Sequence, residues 1–200
     1  MEMQSLDHLK EDLRAILAHR VPQRIEVNGT DYTQASVLLP LFARDGQYWL
    51  LFTRRANTVE YHKGEVSFPG GTVDEDDDSL EGTAKRETFE EIGVREEDIE
   101  ILGQLDDIPT MTSGFIIHPF VGVVPFPYMF KINKREVEHL IEVPLKFLFD
   151  PSQPQPLSID NKTDIFKVPA FVYKGAVIWG ATERILENFI NLIRLKIRLS

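Results

Sequence analysis

Arg86-Glu87-Thr88-Phe89-Glu90-Glu91-Ile92-Gly93 is the stretch around which the rest of the chain is organised. In a helix over residues 79–92, Glu87, Glu90 and Glu91 stand at i, i+3 and i+4 and share one face. Gly93 fits the C′ position that ends such a helix. Three ionised carboxylates that close repel one another, so each is expected to have a raised pKa unless a positive group joins them. A hard divalent cation takes oxygen ligands and relieves the repulsion, and Mg²⁺ commonly uses one or two carboxylates plus substrate phosphates. Arg86 is one residue away and is placed to brace a glutamate. Leu80, Ala84, Phe89 and Ile92 supply apolar surface to hold the helix against a core.

A solvated acidic helix would carry the same glutamates, so the flanking sequence has to decide. Upstream lies Phe68-Pro69-Gly70-Gly71, whose glycine pair permits a sharp turn or close backbone approach. Five consecutive acids, Asp74–Asp78, then lead into the helix. Asp77 or Asp78 suits an N-cap there, but five acids exceed what capping needs. The formal charge of −10 is local. Residues 74–100 hold 13 acidic and 3 basic side chains, which leaves 19 of each sign elsewhere. Carboxylates concentrated in one segment point to a cation site or a solvated loop. A chain without a basic footprint is not expected to bind nucleic acid.

Composition removes other classes. The 42% hydrophobic content is that of a globular chain and argues against disorder. Apolar runs such as Ala35–Phe42 are too short to cross a bilayer, so no membrane partner is expected. The N-terminus lacks a basic-then-apolar leader, and we expect a soluble, cytoplasmic protein. The absence of cysteine excludes disulfides, thiol catalysis and thiolate zinc sites.

Working outward, Leu6, Leu9, Leu13, Ile16 and Leu17 recur at helical spacing, which predicts a helix over 5–19 capped by Ser5. Ala35–Phe42 and Tyr48–Thr53 read as strands around an Asp45-Gly46 turn. Residues 56–65 read as loop and Val66–Phe68 as a short strand. Ile99–Asp106 and Ile116–Pro125 read as further strands. Lys134–Ile141 reads as a short helix or turn, Pro144–Phe149 as a short segment and Pro151–Pro156 as a loop. Phe166–Tyr173 and Ala176–Trp179 read as a hairpin turning at Lys174-Gly175. Thr182–Leu199 reads as a long helix. No linker divides the chain, so residues 1–200 are expected to form one α/β (α+β) domain with an N-terminal helix and a long C-terminal helix.

Other templates fail. As a calcium loop, Asp74, Asp76 and Asp78 fit, but Ser79 stands at the obligatory glycine and Lys85 at the closing glutamate. There is no phosphate loop, zinc-protease motif or nucleophile elbow. Gly71 to Val94, with Arg86-Glu87-x-x-Glu90-Glu91-x-Gly93-Val94, instead resembles the Nudix box. Its second half matches without exception. Its first half has Thr72 and Asp78 where the common form has glycine and glutamate. Its glycine, Gly71, sits one step earlier. That longer loop, with Asp74 and Asp77, is similar to the coenzyme A pyrophosphatase branch of the family. So is the run Leu51-Phe52-Thr53-Arg54-Arg55-Ala56 followed by Val59-Glu60-Tyr61-His62-Lys63-Gly64-Glu65-Val66-Ser67-Phe68-Pro69-Gly70-Gly71. Within it Ala56, Val59, Glu60 and Glu65 depart from that branch, Glu60 standing where the branch has arginine. Thr112-Ser113-Gly114-Phe115 and Ile178-Trp179-Gly180-Ala181-Thr182 also look like the branch.

The resemblance implies a Nudix-type sandwich, with a mixed β-sheet between α-helices, and attack of water on a diphosphate with Mg²⁺ or Mn²⁺ as cofactor. It implies Glu87, Glu90 and Glu91 as metal ligands and Arg86 as their brace. The general base is left open between Glu136, on a separate loop, and a glutamate of the box itself, Glu90. Arg54, Arg55, His62, Gly70 and Gly71 are candidates for contact with a small-molecule nucleotide substrate. For coenzyme A the products would be 3′,5′-ADP and 4′-phosphopantetheine. Glu60 leaves another substrate open, ADP-ribose or an oxidised nucleoside triphosphate. A non-catalytic regulatory module is a third reading, against which all three box glutamates are present. A homodimer stays open.

Overall fold

The computed structural model describes residues 6–26, 32–58, 63–110, 113–160 and 165–197. Ser5, Glu60, His62, Thr112 and Leu199 lie outside them. In chain order the elements are α1 (Leu6–Ala18), β1 (Thr33–Arg44), β2 (Gln47–Arg55), β3 (Val66–Ser67), β4 (Gly70–Thr72), α2 (Leu80–Ile92), a 3₁₀ turn (Glu96–Asp98), β5 (Glu100–Gln104), β6 (Ile108–Pro109), β7 (Phe115–Val123), β8 (Val137–Pro144), α3 (Leu145–Leu148), β9 (Gln155–Asp160), β10 (Ile165–Tyr173), β11 (Ala176–Trp179) and α4 (Gly180–Ile197).

β1 is the axis. It pairs antiparallel with β2 and β4 and parallel with β7, so the main sheet is mixed. Its order is β3-β2-β1-β7-β5, with β8 paired to β2 and β6 to β7. A separate three-stranded sheet runs β11-β10-β9. Alternate side chains of β1 point to opposite faces, as a pleated strand requires. Leu38 and Phe42 pack with Ala84 and Ile92 of α2. Leu39 and Leu41 pack in a larger cluster with Leu13 and Leu17 of α1, Phe171 of β10 and Ile185, Leu186 and Phe189 of α4. The main sheet therefore lies between helices, as expected.

Three segments differ from the sequence expectation. Lys134–Ile141 is a turn only as far as Glu136; from Val137 it is a strand lying along β2, with Thr53 opposite Leu140. The charged residues of β8 mask it because Glu138 and His139 face solvent. Pro151–Pro156 is a loop only in its first part, since β9 begins at Gln155. Gly70–Thr72 is a strand that ties to β1, with Ser36 opposite Gly71. That pairing brings the glycine pair to α2.

Candidate active site

α2 starts and stops where its sequence says. Ser79 is the N-cap and accepts from the Gly82 N–H, rather than Asp77 or Asp78. Gly93 takes φ +74° and its N–H returns to the Phe89 carbonyl. The buried face differs from expectation: Thr83, Ala84, Thr88, Glu91 and Ile92 are buried, while Phe89 is 49% exposed.

Asp77 does something other than capping. Its carboxylate takes a two-pronged bond from Arg86, Nε to Oδ1 at 2.7 Å and Nη2 to Oδ2 at 2.9 Å. It also accepts from Thr83 Oγ1 and the Asp74 N–H. The Arg86 hydrogen bonds hold its carboxyl well below the usual carboxylate range. The same bonds push the Arg86 guanidinium above its ordinary value. Arg86 further donates to the Thr72 carbonyl at 3.0 Å and to Glu87 Oε1 at 2.8 Å, with Glu90 at 3.4 Å. One arginine thus fastens the loop, the glycine strand and the carboxylates together. The missed signal was an acid nine residues before Arg86, across a loop whose path only the fold reveals.

The three glutamates occupy different depths. Glu91 is 3% exposed, and its Oε2 has no hydrogen-bond partner. Burial pushes its carboxyl up to about 8, against the pull of Arg55 and a hydrogen bond from the Gly70 backbone. Glu87 is mostly buried and is raised chiefly by burial too, with Glu90 and Glu136 adding. Mutual repulsion, the expected cause, is secondary to desolvation at both. Glu90 stands at the outer rim, half exposed. Glu87 lies against Gly71 so closely that an ideal Cβ there would sit 2.5 Å from Oε1 and 2.6 Å from Oε2. Glu136, before β8, is close enough to act electrostatically on both Glu87 and Glu91.

Arg54 and Arg55 separate, as neighbours on a strand do. Arg55 faces Glu91, and its Nε is buried without a partner. Arg54 pairs with Glu138 at 3.4 Å and lines a 330 Å³ groove with His139, Tyr173 and Lys174. The structure therefore brings Glu87, Glu90, Glu91, Glu136, Arg86, Arg55, Gly70 and Gly71 together and leaves Arg54 apart. His62 lies outside the described residues.

The arrangement fits a divalent cation. Glu91 is buried with one oxygen orphaned, Glu87 is mostly buried near it, and the donors are all hard oxygens. Among the described residues, no three acidic or histidine side chains already form a closed cage. Arg86 occupies one oxygen of Glu87, and Glu90 projects outward. An ion using two carboxylates, water and substrate phosphates needs no such cage.

The profile of the NUDIX domain matches residues 32–157. The chain belongs to the Nudix family. A relative from Enterobacter sp. (strain 638), described as an uncharacterized Nudix hydrolase NudL, is 36% identical over 82% of this chain and 84% of its own length. A protein of the same description from Photorhabdus laumondii is 32% identical over 87% and 90%. The solved MutT/nudix family protein from Enterococcus faecalis superposes with a TM-score of 0.57, covering 96% of this chain and 76% of that one at 15% identity, which supports the fold alone. As a Nudix hydrolase the protein acts on diphosphate bonds, with a nucleoside diphosphate derivative as substrate. Nudix hydrolases generally use divalent metal ions. Among the described residues no helix is long and apolar enough to cross a membrane.

Proposed function

We propose that this Nudix hydrolase cleaves the diphosphate of coenzyme A or acyl-coenzyme A, giving 3′,5′-ADP and (acyl-)4′-phosphopantetheine. The observation that carries the reading is the segment between Gly71 and Arg86, which is loop from the end of β4 as far as Ser79. Its extra length and its aspartates are what the coenzyme A branch resemblance rests on. Asp77 of that loop is the main partner of Arg86. The branch-like loop is thus built into the catalytic helix rather than appended to it.

Glu87 and Glu91 would hold Mg²⁺ or Mn²⁺, while Glu90, the third glutamate of the box, stands at the rim. A bound ion of this kind neutralises diphosphate charge, polarises a phosphoryl oxygen and lowers the pKa of water. The protein's own groups do the rest. Arg86 fixes Glu87 and ties it to the loop. The Gly70-Gly71 backbone lets the helix carboxylates lie against the strand, and Arg55 supplies positive charge beside Glu91. Glu136 accepts the proton of the attacking water on its carboxylate as the P–O–P bond breaks and the second phosphate leaves. Glu90, at the rim, is the other group placed to do so. The reacting atoms come from the substrate and one water.

A substrate panel tests this. The protein is incubated with Mg²⁺ or Mn²⁺ and coenzyme A, ADP-ribose, NADH, diadenosine polyphosphates and nucleoside triphosphates. Coenzyme A is expected to give the highest kcat/KM. Cleavage of ADP-ribose with coenzyme A untouched would overturn the assignment, and Glu60 in place of the branch arginine would then be the first position to examine.

A further inference from the structure

The turn before β8 carries one residue whose bonds converge on the site from outside the Nudix box. The end of α2 exposes carbonyls that its own helix cannot satisfy. The segment after β7 satisfies two of them: the Lys131 N–H donates to the Ile92 carbonyl and the Asn133 N–H to the Glu91 carbonyl, both at 2.9 Å. Gly93 makes this approach possible. A Cβ there would lie 2.7 Å from Lys131 Cβ and 3.0 Å from its nitrogen. From Asn133 the chain turns, with the Glu136 and Val137 N–H groups both donating to its carbonyl. Its Oδ1 accepts from the Arg135 N–H, which leaves the amide NH₂ free to donate. Asn133 Nδ2 does so, to Glu136 Oε1 at 2.8 Å. The far side of the turn is also fixed. Glu136 O accepts from the Ala56 N–H, next to Arg55, and Arg135 O accepts from Thr58 Oγ1.

We infer that Asn133 is a positioning residue for the hydrolysis. It joins the backbone of the metal helix at Glu91 to the carboxylate of Glu136 and so sets where that carboxylate stands relative to Glu87 and Glu91. The reach involved is short. One residue spans from the Glu91 carbonyl, through its backbone N–H, to the Glu136 carboxylate, through its side-chain amide, so a displacement of either is passed to the other. Asparagine suits the task because one end accepts and the other donates. Aspartate keeps the acceptor that holds Arg135 N–H but loses the donor and sets a negative charge against Glu136. A positional error of about 1 Å at a reacting group is enough to cost on the order of 100-fold in rate.

The inference rests on the reading of Glu136 as the proton acceptor, and a double-mutant cycle separates the two. Wild type, Asn133→Ala, Glu136→Gln and the double variant are compared for kcat and KM on whichever nucleoside diphosphate derivative the wild type cleaves best. Mn²⁺ affinity by calorimetry and thermal midpoint are measured alongside. Glu136→Gln is expected to lower kcat about 100-fold or more. Asn133→Ala should lower kcat about tenfold or more with KM and Mn²⁺ affinity within about twofold. Adding Asn133→Ala to Glu136→Gln should then cost nothing further in kcat. Independent multiplication of the two losses, or an Asn133→Ala loss tracked by Mn²⁺ affinity or thermal midpoint alone, would overturn the positioning role while leaving Glu136 in place. Near-normal kcat for Glu136→Gln would instead remove Glu136 itself. Should Asn133→Ala fail to fold, Asn133→Asp serves in its place, with the same expected dependence on Glu136.

Discussion

At the residue scale, Gly71 and Glu87 are one feature seen from two sides. The carboxylate fills the volume that a side chain at position 71 would need. In Gly71→Ala the group that must move is the far end of a flexible glutamate, so the fold should survive with a stability change of about 1 kcal/mol or less. The displaced carboxylate should nevertheless cost about 100-fold in turnover. Thermal denaturation beside steady-state kinetics checks both halves; an active Gly71→Ala protein would mean that Glu87 need not stand where it does. The roles of these residues were unevenly legible. Glu87, Glu90 and Glu91 could be placed on one helix face from spacing alone, but their different depths could not, because depth depends on which side of α2 meets β1 and β4. Arg54 and Arg55 look equivalent in sequence and are divided by the two-residue period of β2. Asn133 is a polar loop residue, and only the meeting of distant segments gives it partners.

At the element scale, α2 and the segment 131–136 form a docked pair. Gly93 marks the C-terminal end of the helix in the sequence and holds it there, whereas the N-cap falls to Ser79 rather than to the preceding aspartates. The docking partner could not be read, because Lys134–Ile141 hides a strand behind solvent-facing charges and its pairing with β2 is long-range. Gly93→Ala tests the docking. The position has φ +74° and contacts Lys131 backbone, so both strain and steric clash are expected. The loss should be about 1–3 kcal/mol, with Glu136 displaced as a consequence. Hydrogen exchange should show faster exchange at Lys131 and Asn133 N–H, whose acceptors lie at the end of α2. Unchanged protection at those two amides would contradict the docking.

At the scale of the whole molecule, burial of acids sets the pH response. Glu183, in the first turn of α4, is 1% exposed and its Oε1 has no partner. Burial, reinforced by Glu187, pushes it up from 4.5 to about 7. The folded value is raised, so the contribution of the neutral form is fully present below the unfolded value and is lost as pH rises through 7. Glu183→Gln stays neutral throughout. Its stability should therefore fall less than that of the wild type between about pH 5 and pH 8, by roughly 2 kcal/mol across that window. Denaturant midpoints at the two pH values measure it, and parallel curves would mean that Glu183 ionises in the fold at no cost. The sheet between helices was implied by the Nudix resemblance, and its helices and most of its strands followed from the hydrophobic pattern. β9 did not, since Pro154 and Pro156 made its start read as loop.

The account turns on Glu87 and Glu91 being the groups that take a divalent cation, and calorimetric titration of the metal-free protein with Mn²⁺ tests that most directly. The wild type is expected to bind, and Glu91→Gln, which retains shape and burial but cannot ionise, should bind at least about tenfold more weakly with its thermal midpoint maintained or raised. Equal Mn²⁺ affinity in the wild type and Glu91→Gln would contradict the account.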